Sequence, residues 1–363
     1  MEIDKTIIIN RQSSKNKKKE MQKKRISISD IAKQTKLSKA SVSFALRNSP
    51  MVSKQTRKKV QEVAKEMGYQ KNAIVSSLMS KLRKKNLTSF VETIAIINGN
   101  SDEFALQHHP TLPTYYQGIK KEANRLGYAI NEFWIHSNDF KRKNIARIFH
   151  SRGIRGGIVL GHTFGNEFPK YFENILHEFY FVSAGIRTYN QSLEVVASDD
   201  FLISYKAYVE TIALGYKRIA IVLDEYIDDL VGGTLIGGFL RAQLKNKKAN
   251  IPPFMESEKS PYFKKALQEW IEQYKPDAIL FLLNKTREIL KNISFIKKNK
   301  IKLIQLERRS KIKDWIGIEQ NNDVVGRVAV RRLADMLNRN SAIIGENSNM
   351  ITLIKPTWIN ETT

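Results

Sequence analysis

Residues 28–69 read ISDIAKQTKLSKASVSFALRNSPMVSKQTRKKVQEVAKEMGY. Three short amphipathic segments are visible in this string, each opened by a helix-start signal. Ser27 with Asp30 three residues on is a capping-box pattern that opens a segment over 28–36. Ser38 is placed to cap a second segment over 39–46 and Ser53 a third over 54–67, with Gly68 as its stop. Ile31, Ala32, Leu37, Val42, Leu46, Val52, Val60, Val63 and Met67 recur at spacings that put them on inward faces, which predicts a small three-helix core. A helix-turn-helix needs a short first helix, a tight turn and a second helix whose inner face is held while its N-terminal residues stay free to enter a major groove. Residues 30–46 supply that arrangement.

Charge grows denser on either side of this string. The chain has 363 residues and a formal net charge of +25, more than solubility needs and suited to a polyanionic partner such as nucleic acid. Residues 1–90 carry 23 lysines and arginines against 6 acids and so hold +17 of that total. Residues 1–25, with Lys15, Lys17, Lys18, Lys19, Lys23, Lys24 and Arg25, read as a disordered basic tail. Residues 72–85 are short, basic and weakly apolar, too small for a stable isolated helix in water, and read as a linker.

Beyond the linker, strand-like runs (93–97, 156–160, 180–184, 218–223, 278–282, 302–305) alternate with helical ones (115–126, 167–177, 200–214, 237–245, 285–291, 322–337). Such alternation argues for parallel sheets with crossover helices. No run approaches the roughly 18 apolar residues of a membrane span, and the N-terminus lacks the apolar core of a secretion signal, so a cytoplasmic location is expected. The chain has no cysteine, which removes disulfides, thiolate metal sites and cysteine nucleophiles together.

The string 28–69 is similar, nearly position for position, to the headpiece of the LacI/GalR family of bacterial transcriptional regulators. The linker sequence NAIVSSLM (72–79) resembles the family's hinge helix. YQGIKKEANRLGY (116–128), ALGYKRIAIV (213–222) and VGRVAVRRLADML (325–337) resemble its effector-binding core more loosely. The resemblance implies an N-terminal all-α helix-turn-helix headpiece with a hinge helix, followed by an α/β two-lobed core like that of periplasmic binding proteins. The corresponding divisions are a tail at 1–25, a DNA-binding domain at 26–71, a hinge at 72–85 and an effector-binding and dimerisation core at 91–363. It further implies a homodimer on an inverted-repeat, double-stranded DNA operator, with repression as the family default and a small-molecule effector in the core.

Carried over by position, Lys39, Ala40 and Phe44 stand where the family reads base edges, and Leu78 where a leucine wedges between base pairs from the minor groove. Ser27, Ser38, Ser41, Ser43, Ser53, Thr56, Tyr69 and Asn72 stand at backbone-contacting or anchoring positions. Phe44 replaces an arginine of many relatives. A phenyl ring cannot bond guanine, so the expectation is contact with a thymine methyl or loss of guanine selection, beside the plain alternative of packing on its own helix. Leu78 has the alternative of packing on a partner.

In the core, ligand residues are expected on loops after strands. Tyr115, Tyr116, Trp134, Asp199, Trp315 and Glu319 are the candidates, with core packing the competing role for the aromatics. Leu235 stands where many sugar-responsive relatives have arginine, three residues before Gly238, which weakens the expectation of a carbohydrate effector. The first lobe is expected near 91–187 plus 319–340, and the second near 188–318 plus the C-terminal segment. His108 and His109 are the only adjacent histidines, with no zinc-helix pattern, phosphate loop or nucleophile elbow around them. No catalytic residue, metal site or cofactor is expected. The competing classes are a sugar-binding transport receptor, an enzyme acting on a sugar or nucleotide, and an architectural protein that binds DNA without sequence preference.

Overall fold

The structure is a computed structural model that describes residues 26–46, 52–67, 69, 92–142, 144–161, 167–185, 193–246, 250–307, 316–339 and 350–360. The tail at 1–25, Gly68, the hinge at 72–85 with Asn72 and Leu78, and Trp315 lie outside the described residues. The chain divides into two compact units, 1–85 and 86–363.

In the first unit, α1 (Ile28–Thr35), α2 (Lys39–Leu46) and α3 (Lys54–Glu66) form as the sequence pattern requires. At α1 the Ser27 Oγ accepts from the Asp30 N–H at 3.4 Å and the Asp30 carboxylate accepts from the Ser27 N–H at 2.9 Å, a reciprocal cap. Ser53 Oγ accepts from the Thr56 N–H at 3.2 Å at the start of α3. Lys36 turns the chain between α1 and α2 in the left-handed region, at φ 57°. Ile31, Ala32, Val42, Ala45, Val60 and Ala64 are buried, and Leu37, Leu46, Val52, Val63, Met67 and Tyr69 pack around them. Each aliphatic side chain fully buried contributes about 1.5–3 kcal/mol. With so few of them the unit is necessarily marginal.

The second unit begins with β1 (Glu92–Asn98), α4 (Ala105–His108), α5 (Leu112–Leu126), β2 (Tyr128–Trp134), α6 (Asn138–Lys141), α7 (Ile145–Ser151), β3 (Gly156–Leu160), α8 (Lys170–Leu176), β4 (Tyr180–Ala184) and β5 (Glu194–Ser198). It continues with α9 (Asp200–Ala213), β6 (Ile219–Leu223), α10 (Glu225–Leu230), α11 (Thr234–Asn246), β7 (Phe254–Met255), α12 (Phe263–Tyr274) and β8 (Ala278–Phe281). The last elements are α13 (Asn284–Asn292), α14 (Ser294–Asn299), β9 (Lys302–Gln305), β10 (Ile316–Glu319), α15 (Asn322–Arg339), β11 (Ile351–Ile354) and β12 (Thr357–Asn360).

Two six-stranded sheets result, ordered β11-β5-β4-β3-β1-β2 and β12-β10-β9-β8-β6-β7. All pairings are parallel except that of β10 with β12. The buried strands β3, β6 and β8 are apolar along their length because helices cover both faces, while the equally buried β4 and β5 carry Ser183, Glu194 and Ser198 among their apolar residues.

Close helix contacts rest on glycine. A Cβ on Gly118 of α5 would lie 2.0 Å from the Asp323 carbonyl oxygen of α15, and one on Gly326 of α15 would lie 2.1 Å from that of Tyr115. In the second lobe a Cβ on Gly238 of α11 would lie 2.1 Å from the Phe201 carbonyl oxygen of α9.

The lobe boundaries differ from those the sequence suggested. β5, expected in the second lobe, pairs with β4 in the first sheet. The C-terminal segment is shared, β11 pairing with β5 and β12 with β10. Short strands such as these carry little periodic signal, and their sheet is set by pairing partners far away in sequence. The expected helix at 167–177 spans only Lys170–Leu176, because Pro169 occupies the cap position at φ −59°, ψ 141°.

Candidate nucleic-acid interface and core ligand site

The second helix of the headpiece is held by one face and presented by the other. Val42 and Ala45 of α2 have no exposed surface and pack with Ile31 and Val60. Lys39 is exposed, whereas Ser41, Ser43 and Phe44 are half-buried. Ala40 occupies the second position of the same helix.

Ser38 Oγ accepts from the Ser41 N–H at 3.0 Å, and the two hydroxyls lie 2.9 Å apart, so both serines sit where unpaired helix N–H groups favour phosphate. Ser27, Ser53 and Thr56 cluster likewise at the starts of α1 and α3. Tyr69 donates its N–H to the Ala64 carbonyl at 2.8 Å and packs on the small core. Lys33, Lys36, Lys39, Lys54, Lys58, Lys59 and Lys65 are exposed, and none forms an ion pair among the described residues. The unit therefore offers a solvated positive field around a rigidly seated helix, which suits a phosphate-lined groove.

Residues 27–72 match the family model described as bacterial regulatory proteins, lacI family. Over those residues the chain is similar to that family. The HTH-type transcriptional regulator MalR of Streptococcus pneumoniae is 25% identical over 199 residues, 54% of this chain and 56% of MalR. The chain thus spans just over half the length of that curated relative. Two solved structures show the same fold: a transcriptional regulator CelR–cellobiose complex (TM-score 0.55, 15% identity, 93% of this chain and 100% of that one) and a lac repressor dimer bound to operator and an anti-inducer (TM-score 0.51, 16% identity, 93% and 98%). The lacI-family headpiece is thus joined to the two-sheet α/β core of that fold.

In the core the polypeptide crosses between lobes three times, after β5, after β10 and after β11. Hydrogen bonds tie the crossings together. Ser198 Oγ lies 3.2 Å from Asn322 Oδ1 and 3.4 Å from the Gln320 carbonyl oxygen, the Asp199 N–H reaches the Ile354 carbonyl at 3.0 Å, and Asn321 Nδ2 donates to the Lys355 carbonyl at 2.9 Å. Asn322 Nδ2 also stands 3.5 Å from Glu307 Oε1 of the second lobe.

Three of the candidate ligand residues gather here. Tyr115 is buried and hydrogen-bonded with Ser198, its hydroxyl pushed well above the usual range by burial. The Asp199 carboxylate caps α9, accepting from the Leu202 N–H at 3.0 Å. Glu319 accepts from the Asn321 N–H at 3.3 Å.

The other two described candidates lie apart from this cluster. Tyr116, one residue on and hence turned about 100° around α5, donates to Glu132 beneath Lys120. Trp134 ends β2 and donates its Nε1–H to the Asn100 carbonyl at 2.9 Å. Leu235 is buried in the second-lobe core.

Other polar groups at the carboxyl ends of strands escaped the sequence reading. Asn98 donates to the Asp102 and Glu103 carbonyls, Gln305 Nε2 bonds Asn284 Oδ1 at 2.9 Å, and Asp224 takes the Glu258 N–H at 2.8 Å. Asp228 is buried, and burial pushes its carboxyl above the usual range against the pull of the Ile236 and Leu235 N–H groups. His136, 3.3 Å from the Tyr171 hydroxyl, is held below its usual pKa by burial. A usable signal did exist: Asn98, Asp224 and Gln305 each follow directly on an apolar run.

Proposed function

We propose that this chain is a sequence-specific transcriptional regulator, acting as a repressor, that binds an inverted-repeat DNA operator as a homodimer and responds to a small molecule bound at the strand ends of its core. The observation that carries the reading is α2, seated by Val42 and Ala45 while its N-terminal Lys39 stays exposed. In this reading Lys39, Ala40 and Phe44 meet base edges. Ser27, Ser38, Ser41, Ser43, Ser53, Thr56, Tyr69 and Asn72 position the duplex backbone, and Leu78 in a hinge at 72–85 wedges a central base step. A single headpiece reads only a few base pairs, so a two-fold pair is needed for a useful site.

The first effector class to test is a carbohydrate, since a neighbour of the same fold is a cellobiose complex. Tyr115, Asp199 and Glu319 then become ligand or gating groups, with Tyr116, Trp134 and Trp315 as further candidates.

The deciding experiment selects duplexes from a random pool, followed by gel retardation of the winner. An inverted-repeat sequence that outcompetes random DNA by about 10³-fold or more supports the reading. Equal competition by random DNA overturns it in favour of an architectural protein. Phe44→Arg should shift preference toward guanine at one position of each half-site, by about 1–3 kcal/mol. An unchanged preference would assign Phe44 to packing on its own helix.

A further inference from the structure

At the amino-terminal edge of the second sheet lies an open pocket of about 560 Å³, formed by the end of α13, by α14 and by the start of β9. Lys291, Lys297, Lys300 and Lys302 surround it, with Glu288 as its one acid. Its floor is apolar: Ile296 and Ile301 are 5% and 7% exposed, and Leu303 is half-buried. None of the four lysines forms an ion pair among the described residues. The neighbouring acid on this edge is already committed. Asp277 accepts from the Lys217 and Arg218 N–H groups at 2.8 and 2.9 Å and makes no ion pair with any of the four lysines among the described residues.

Four cations against the single acid Glu288 leave the concavity net positive, a charge that a bound anion would offset. The volume falls within the range of about 300–1,000 Å³ typical of small-molecule sites. An apolar floor under a cationic rim matches a molecule with a flat or apolar body and a phosphate group, for which lysine serves as a flexible point charge.

The pocket is separate from the strand-end site. Lys302 opens β9, opposite Ala278 at the start of β8, whereas Gln305 closes β9 among the polar groups described above. We propose that this lysine-rimmed pocket binds a small phosphorylated molecule of nucleotide size, as a second ligand site at the opposite end of the sheet from the crossings. α13 and β9 run between the two ends and meet again where Gln305 bonds Asn284, so the sites share two elements.

The test uses the full chain, titrated with ADP bearing a fluorescent anthraniloyl group on its ribose. Saturable binding is expected at one site per chain. It should weaken about tenfold in Lys291→Gln/Lys297→Gln, the scale of losing two solvated charge-assisted contacts, and weaken also in Lys300→Asn, which keeps a residue tolerant of the left-handed φ of 53°. The headpiece pair Lys58→Gln/Lys59→Gln should leave it unchanged. Unlabelled ADP should displace the probe at least about tenfold more effectively than adenosine or inorganic phosphate, because only ADP engages both floor and rim. Absence of saturable binding overturns the proposal. So does weakening by the headpiece pair alone, or displacement by inorganic phosphate as effective as that by ADP, which would leave only a counterion cluster.

Discussion

In the headpiece, each capping hydrogen bond joins residues three apart: Ser27 with Asp30, Ser38 with Ser41, Ser53 with Thr56. In the core the polar contacts that matter span the chain. Arg331 reaches Glu122 at 2.7 Å across 209 positions, Arg332 grips Glu194 with two bonds of 2.8 Å across 138, and Ser198 meets Asn322 across 124. The headpiece buries an almost wholly apolar core and leaves its capping groups around the rim, the buried Thr35 hydroxyl being satisfied one turn back by the Ile31 carbonyl. The core instead buries acids and amides between its elements, where each must find its partner or forfeit its hydration. Local signals build the helix-turn-helix unit, while long-range polar pairing builds the unit that holds the lobes together.

The largest test of that contrast is Val42→Asp. A carboxylate at a position with no exposed surface costs about 3 kcal/mol or more, a large share of what a unit of this size has. Gel retardation should be abolished, while calorimetry should show the unfolding of the core unchanged. A simultaneous loss of the core transition would break the contrast.

Glu122→Gln strikes the core instead. The carboxylate is 2% exposed, sits between Arg125 and Arg331, and is held by them at a pKa of about 2. Removing it leaves two guanidiniums facing a neutral amide and should cost about 3 kcal/mol of core stability. Because the folded pKa lies below the unfolded one, the native contribution of Glu122 is complete above about pH 4.5 and is lost as pH falls toward 2. The variant should show a flatter dependence of core melting on pH across that window, with the headpiece unaffected.

Asn321 tests the crossings on a smaller scale. It sits at φ 59° and bonds the Lys355 carbonyl and, at 3.2 Å, the Thr357 hydroxyl. Asn321→Ala loses both bonds and puts in the left-handed region a residue that tolerates it less well than asparagine, for about 2 kcal/mol in total. Asn321→Gly loses the bonds alone and should cost about half as much. Equal melting temperatures for the two variants would show that the backbone conformation carries no strain there.

The smallest expected effect is Ser53→Ala, which removes one cap of α3 at about 1 kcal/mol. It should lower DNA affinity through partial unfolding of the headpiece, with the deficit recovered on cooling toward 10–15 °C, where stability is near its maximum. A deficit that persists on cooling would assign Ser53 a direct phosphate contact.

Legibility in the sequence followed the same division. The three helices, their caps and nearly all of the small core could be read, because each capping partner stands one helical turn away and each buried side chain recurs with the helical period. Ala45 and Ala64 join that core without being expected in it, since alanine by itself carries a weak apolar signal. In the core, the long apolar strands and α15 were visible. The membership of β5 and the division of the C-terminal segment between two sheets were not, since a strand of four or five residues holds no information about which distant strand will pair with it. The candidate ligand residues divided in the same way. Tyr115, Asp199 and Glu319 converge at the crossings, whereas Tyr116 turns away toward Glu132, a difference of one residue on a helix whose orientation only its packing against α15 sets.

The sequence by itself therefore determined the helix-turn-helix: local hydrogen bonds and a 3.6-residue period are sufficient to specify it and to expose Lys39 beside a buried Val42. Only the tertiary structure decided that one chain would pass three times between two sheets, that Ser198, Asn321 and Asn322 would bind those passages together, and that four lysines would converge on one pocket at the sheet's far end. The reason is physical. Partners separated by more than a hundred residues are selected by whole-domain packing, and no window of sequence contains both halves of the contact.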